Sequence, residues 1–301
     1  MDDHKLRVFC TVAECRSFSK ASEIIHLTQP AVSLQIQALE ETYETKLFDR
    51  TGGAVTLTEA GERLYKYAKE ILNLYAAAEQ DINRLTGLVK GTLSIGASST
   101  IGNYLMPGVL VDFRQRYPRI RVNLLIGNTR QTVERLEAGD IDVGLVEGEV
   151  NKHKLLKEKL LEDELVLVMA PDHPWANRKN ISVSELASEP MIIREEGSGT
   201  RQIIEKHMQK HNMQLRRGKI SMVLGSSEAI KAAVESGQGV SILSRWVVRK
   251  EIKFGTLKAS TFKDIRFTRD FTIIRPRRSF NTHTVNEFLS FLKVYPFEER
   301  I

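Results

Sequence analysis

The chain has 301 residues, of which 42% are apolar and 27% charged, with 44 Lys and Arg against 38 Asp and Glu for a formal net charge of +6. That describes a soluble globular protein long enough for two or more cores. It holds no apolar run near the roughly 20 residues that span a bilayer, an opening MDDHKLRVF unlike a signal peptide, and only two cysteines, Cys10 and Cys15. A membrane span, a disulfide framework and a cysteine-based zinc site are thereby excluded, and the expected location is the cytoplasm.

In chain order, a first helix is predicted from about His4 to Glu14, with Leu6, Phe9, Cys10 and Ala13 as its apolar stripe and Cys10 a core residue. Phe18, Ala21 and Ile25 fall at helical spacing behind Ser17 and Ser19, which predicts a short helix over Ser19 to Ile25. Thr28 then precedes Gln29 and Pro30, the pattern of a capping hydroxyl followed by a proline in the first turn of another helix. On that helix Val32, Ile36 and Leu39 form one face, and Gln29, Ser33, Gln35 and Gln37 occupy positions expected to face outward. Amides and hydroxyls suit base edges in the major groove; the plainer alternative is a neutral polar face in water. Leu47 and Phe48 should close this small core, and Asp49 to Thr58 reads as a hairpin with Gly52 and Gly53 at its tip.

The run FCTVAECRSFSKASEIIHLTQPAVSLQIQALEETYETKLFDR, followed by VTLTEAG, resembles the winged helix-turn-helix of the LysR-type transcriptional regulators, in order and without gaps. The resemblance covers about the first sixty residues and implies that the hairpin is a wing and that the partner is double-stranded operator DNA. The expected DNA-binding residues are Lys20, Thr28, Gln29, Pro30, Ser33, Gln35, Gln37 and Arg50. In the family an arginine often stands where this chain has Gly53, which leaves Arg50 and backbone amides for the wing. Residues 1 to 90 hold 11 Lys and Arg against 13 Asp and Glu, so the basic excess lies elsewhere. Phosphate binding then rests on local groups such as Lys20, Thr28, Lys46 and Arg50 and on helix N-termini.

A long helix begins after Thr58, with Glu59 and Glu62 in its first turn. Leu64, Ala68, Ile71, Tyr75, Ala78, Ile82 and Leu85 repeat at alternating spacings of 4 and 3, a heptad seam. The seam either packs on this chain's own domain or pairs with a second copy; pairing is the expectation, giving a homodimer or homotetramer with two recognition helices on a two-fold operator.

Leu88 to Lys90 marks a boundary, beyond which strands and helices alternate. Strands are predicted at Thr92 to Gly96, Arg121 to Ile126, Ile141 to Val146, Leu165 to Ala170, Met191 to Ile193, Ile220 to Val223, Val240 to Leu243 and Phe271 to Ile274. Helices are expected from about Ile101 and Thr129 and near Val285 to Leu292. The overall class is α/β, with parallel sheets covered by helices. The pattern resembles the two-subdomain, periplasmic-binding-protein-like (type 2) effector domain of the same family. The resemblance implies a DNA-binding domain over 1–58, a linker helix over 59–90 and an effector domain over 91–301. Subdomain I would take 91–164 and 269–301, subdomain II 165–268, with crossings near Asp163 to Leu165 and Thr268 to Asp270.

Ligands of open α/β sheets sit beyond the carboxyl ends of strands. Hydroxyl-rich runs stand at three such places: Ser98, Ser99 and Thr100; Gly197, Ser198, Gly199 and Thr200; and Gly225, Ser226 and Ser227. Each is either an anion site or only a capped helix. With Thr129 and Arg201, whose guanidinium suits a carboxylate, sulfate or phosphate, they are expected to converge on a cleft; Ser226 is the member expected from the third run. The segment REEGSGTR is similar to that of family members concerned with sulfur or carbon assimilation, which implies a small anionic effector. No cofactor is expected, and His153, His173, His207, His211 and His283 show no metal-site spacing. The expected function is a transcriptional regulator modulated by a small metabolite, with RNA polymerase a partner by resemblance alone. The alternatives are a solute-binding protein and an enzyme on the same two-lobed fold, though no nucleophile and base pair is evident.

Overall fold

The computed structural model describes residues 3–50, 54–85, 90–179, 181–211, 219–277 and 282–297. The chain divides into two compact units, Met1–Leu88 and Val89–Ile301.

In the first unit α1 (Asp3–Cys15), α2 (Phe18–Ile24) and α3 (Gln29–Thr42) precede a short hairpin of β1 (Phe48–Asp49) and β2 (Thr56–Leu57), and α4 (Glu59–Leu85) follows. Local chemistry sets the helix starts. Ser17 Oγ accepts from the Lys20 amide at 3.3 Å and Thr28 Oγ1 from the Ala31 amide at 3.4 Å, so two otherwise unpaired donors are satisfied. Leu6, Phe9, Cys10, Phe18, Ala21, Val32, Ile36, Leu39, Leu47 and Phe48 form one buried cluster. The Phe48 ring sits 5.3 Å from that of Phe9 and 5.7 Å from that of Phe18, which ties the hairpin to the helices. Burial pushes the Cys10 thiol up to about 12, so it packs as a small apolar residue. The predicted hairpin tip at Gly52 and Gly53 lies outside the described residues.

The heptad seam on α4 divides in two. Ala68 is buried, and Leu64 and Ile71 pack against the core of their own unit. Tyr75 and Ile82 are 49% and 65% exposed, with Tyr67 and Leu74 also exposed. The N-terminal part of the seam therefore packs within the winged domain, and among the described residues the later seam positions Tyr75 and Ile82 are exposed.

The second unit is built on β3 (Gly91–Ser98), β4 (Ile120–Gly127), β5 (Val143–Glu147), β6 (Leu155–Met169), β7 (Met191–Arg194), β8 (Ile220–Leu224), β9 (Ser241–Ser244), β10 (Lys258–Ser260) and β11 (Phe267–Pro276). Its helices are α5 (Met106–Arg116), α6 (Thr129–Ala138), α7 (Gly199–Lys210), α8 (Ser227–Glu235), α9 (Arg245–Phe254) and α10 (His283–Val294). One lobe holds a core around Leu93, Ile95, Val143, Leu145, Phe271 and Phe288; the other packs Leu165, Leu167, Ile193, Ile203, Val240 and Ile242.

The expectation of parallel sheets is corrected in one respect. Strands β6 and β11 cross between the lobes side by side, antiparallel from Phe267↔Leu165 to Pro276↔Leu155. They run the sheet through as β10-β6-β11-β5-β3-β4 with β9 on β6, while β7 and β8 form a separate parallel pair. Two buried crossings need partners for their amides and carbonyls, and each supplies them to the other. The predicted crossing residues meet there, Arg269 opposite Asp163 and Thr268 opposite Glu164.

Candidate DNA-reading helix and effector cleft

On α3, Gln29, Ser33 and Gln37 fall four residues apart along one face, and Gln29 Nε2 donates to Ser33 Oγ at 3.0 Å. Gln37 Nε2 donates to Glu41 at 2.9 Å. Gln29 and Pro30 are exposed, and Ser33 is half-buried. The expectation that Gln35 faces outward is corrected: it is half-buried, and its Oε1 is enclosed without a partner. Two residues along a helix turn the chain by roughly 200°, which carries Gln35 from the side of Ser33 to the flank of the core stripe. Leu34, which sequence reasoning did not single out, is 65% exposed between the polar residues. Its signal is an apolar residue off the buried stripe.

Lys20 is exposed on α2. The Arg50 guanidinium lies 4.3 Å above the Phe18 ring at the start of the wing, held by a cation–π contact. Lys46 bonds the buried Glu40 at 2.8 Å, while the amides of Leu47 and Phe48 donate to Glu40 Oε1 at 3.0 and 3.4 Å. Burial pulls the Glu40 carboxyl up, but these donors outweigh it and hold its pKa below the ordinary value. Glu40 thereby anchors the turn that leads into the wing.

In the second unit two buried arginines gather the hydroxyl-rich loops. Arg269 Nη1 donates to Thr200 Oγ1 at 2.8 Å and Nη2 to Thr100 Oγ1 at 3.2 Å, while Nε meets Asp163 at 2.8 Å. Its Nη2 also lies 2.5 Å from Glu147 Oε2, without hydrogen-bond alignment. Arg194 Nη2 donates to Ser99 Oγ at 3.1 Å and Nη1 to Ser227 Oγ at 3.1 Å, and Glu195 grips the guanidinium at 2.8 and 3.0 Å. Burial raises the Glu195 carboxyl, yet the bonds and charge of Arg194 bring its pKa below normal. At Asp163 burial dominates instead and keeps the pKa raised despite Arg269.

Ser98, Ser99, Thr100, Thr129, Ser198 and Thr200 are all buried. The hydroxyls of Ser98 and Ser198 have no partner. The third run contributes through Ser227, which bonds Arg194. Ser226 is instead exposed and caps α8, accepting from the Ala229 amide at 3.1 Å.

Gly197 and Gly199 allow the lobes to approach. A side chain at Gly199 would meet the Glu147 carbonyl at 1.4 Å, and Gly197 has φ +86, next to Arg130. Arg201 is engaged by Glu205 at 2.7 Å and donates to the Arg194 carbonyl at 3.4 Å. With Thr129, Gly197 and Ser198 it lines an outer groove of about 600 Å³, where Glu134, Glu137, Glu149, Glu196 and Glu205 outnumber Arg130, Lys152 and Arg201. That groove disfavours an anion, and the inner hydroxyl cluster favours one. Sequence reasoning did not single out Arg194, Arg269, Glu147 and Asp163; for Glu147 and Arg194 the signal is a charge closing an otherwise apolar strand, whereas Asp163 and Arg269 lie in strands of mixed charge that give none. Among the described residues no group of three or more His, Cys, Asp or Glu is placed to hold a metal, and no helix is long and apolar enough to cross a membrane.

A winged helix-turn-helix unit joined to a two-lobed α/β unit whose lobes meet at a buried hydroxyl cluster fits the class of one-chain transcriptional regulators with an effector-binding domain. The chain belongs to the LysR family: the lysR-family bacterial regulatory helix-turn-helix model matches residues 4–62, and the LysR substrate binding domain model matches residues 86–295. It is 35% identical over 288 residues to the HTH-type transcriptional regulator CysL of Bacillus subtilis, covering 96% of this chain and 95% of that one. Full-length OxyR from Pseudomonas aeruginosa shares the fold with a TM-score of 0.78 at 23% identity, over 99% of this chain and 96% of that one. The regulatory domain of Synechocystis PCC6803 CcmR, solved in complex with 2-PG, matches at 29% identity and a TM-score of 0.62, over 67% of this chain and 96% of that domain. The family consists of transcriptional regulators, not enzymes.

Proposed function

We propose that residues 1–58 read double-stranded operator DNA, that 59–90 pair two copies, and that 91–301 bind a small oxyanion between subdomain I (91–164 and 269–301) and subdomain II (165–268). Gln29, Pro30, Ser33, Leu34 and Gln37 face base edges, while Lys20, Thr28 and Arg50 face phosphates. The exposed C-terminal half of the α4 seam, with Tyr75 and Ile82, is the pairing surface.

The observation that carries the effector reading is the pair of buried, unpartnered hydroxyls of Ser98 and Ser198, set in the loops that Arg194 and Arg269 bind together. An unpaired buried hydroxyl costs on the order of 1–3 kcal/mol, which an acceptor-rich ligand recovers. Carboxylates, phosphates and sulfur oxyanions fit that donor set, and the 2-PG complex of the CcmR domain supports a phosphorylated carboxylate. Both lobes supply donors, so the anion favours the closed placement and shifts the population of DNA-binding states.

Calorimetric titration with 2-phosphoglycolate, phosphate, sulfate and sulfite tests this. At least one anion should bind, and Ser98→Ala with Ser198→Ala should weaken it at least tenfold. Undiminished binding in that double variant contradicts the assignment of the cleft.

A further inference from the structure

A second cavity lies away from the hydroxyl cluster, with a volume of about 640 Å³. Its walls come from the segment Tyr104 to Gly108, from α9 and from the chain after α10, so both lobes contribute. Trp246, Lys250 and Phe254 follow one another at four-residue spacing along α9, with Arg249 and Lys253 beside them. Phe254 is 77% exposed, the most exposed large apolar side chain among the described residues. Tyr295 and Phe297 continue the aromatic surface, their rings 4.9 Å apart.

The charge of this lining is one-sided. Among the described residues Lys231, Arg249, Lys250 and Lys253 reach it, and no carboxylate does. Lys231 is neutralised from outside by Glu251 at 2.7 Å and Glu228 at 2.9 Å, and Tyr104 hydrogen-bonds Glu228 across the lobes. Lys250 and Lys253 stand three residues apart on α9, where like charges repel. An anion relieves that repulsion, and a ring covers Phe254 and Trp246. A volume of this size matches small-molecule sites, which run from about 300 to 1,000 Å³.

We propose that this pocket is a second ligand site, for a planar aromatic anion whose carboxylate or sulfonate meets the α9 cations while its ring lies on Trp246 and Phe254. The chain has two tryptophans, so Trp175→Phe leaves Trp246 as the only one. In that background the full chain is titrated with 1-anilinonaphthalene-8-sulfonate. The expected result is saturable probe fluorescence at one site per chain, with matching quenching of Trp246. Lys250→Glu with Lys253→Glu should weaken binding at least tenfold and leave binding to operator DNA unchanged, and Phe254→Ser should weaken it independently. Probe binding that leaves Trp246 unquenched, no saturable binding, or equal affinity in the charge-reversed and Phe254→Ser variants would each overturn the proposal.

Discussion

Arg269 and Asp163 face each other across the two strands that join the lobes, Nε to Oδ2 at 2.8 Å, both side chains fully buried. The same guanidinium holds Thr100 from one lobe and Thr200 from the other. The crossing strands and the hydroxyl-rich loops therefore share one cation. Replacing Arg269 by Met strands Asp163 and Glu147 in the interior, at a cost of about 3–5 kcal/mol. Urea denaturation should show this as a lowered midpoint, partly restored by adding Asp163→Leu; an unshifted midpoint contradicts the shared-cation account.

Glu40 gives the winged domain an acid sensitivity. Its folded pKa lies below the ordinary 4.5, so its stabilisation is full above about pH 4.5 and is lost as pH falls through the lower folded value. Thermal midpoints of the protein between pH 3 and 7 should fall at the acid end, and Glu40→Gln should flatten that limb while lowering the neutral-pH midpoint. A variant as stable as the parent at pH 7 is the contrary result.

Base reading is assigned to the exposed edge of α3. Gln29→Ala and Ser33→Ala should each reduce operator affinity by on the order of 1–3 kcal/mol for every base edge left unread, with affinity for scrambled DNA preserved. Gln35→Ala should act differently, through the fold, because its amide oxygen is enclosed.

The divided seam of α4 separates two effects that the heptad pattern alone would merge. Ile82→Asp, on the exposed half, should convert the assembly to smaller species in sedimentation velocity while leaving the winged domain folded. Leu64→Asp, which packs against the domain core, should instead lower the melting temperature.

Much of this was legible locally. Caps such as Ser17 and Thr28, the stripe Val32, Ile36 and Leu39, and most strands of the second unit, though not β10, follow from short-range signals. The first half of β6 was not, because LLKEKLLEDE mixes charges and leucines without a clean two-residue alternation, and its strand state comes from pairing with residues over a hundred positions away. The same long range hid Arg194 and Arg269. Arg194 is a lone cation ending an apolar strand and Arg269 one of several charges in its strand, and only the fold brings Ser99, Thr100 and Thr200 to them. Ser227 shows the finer limit: cap and site residue are neighbours, and only geometry shows which hydroxyl turns inward.

The most direct test of the central claim is anisotropy of labelled DNA from upstream of the protein's own gene at physiological salt, with scrambled competitor, in the presence and absence of each candidate anion. Specific binding that one anion shifts, and that Ser98→Ala with Ser198→Ala no longer shifts, is the predicted result. An anion response that survives removal of both hydroxyls, or no preference for that DNA over the scrambled competitor, would contradict it.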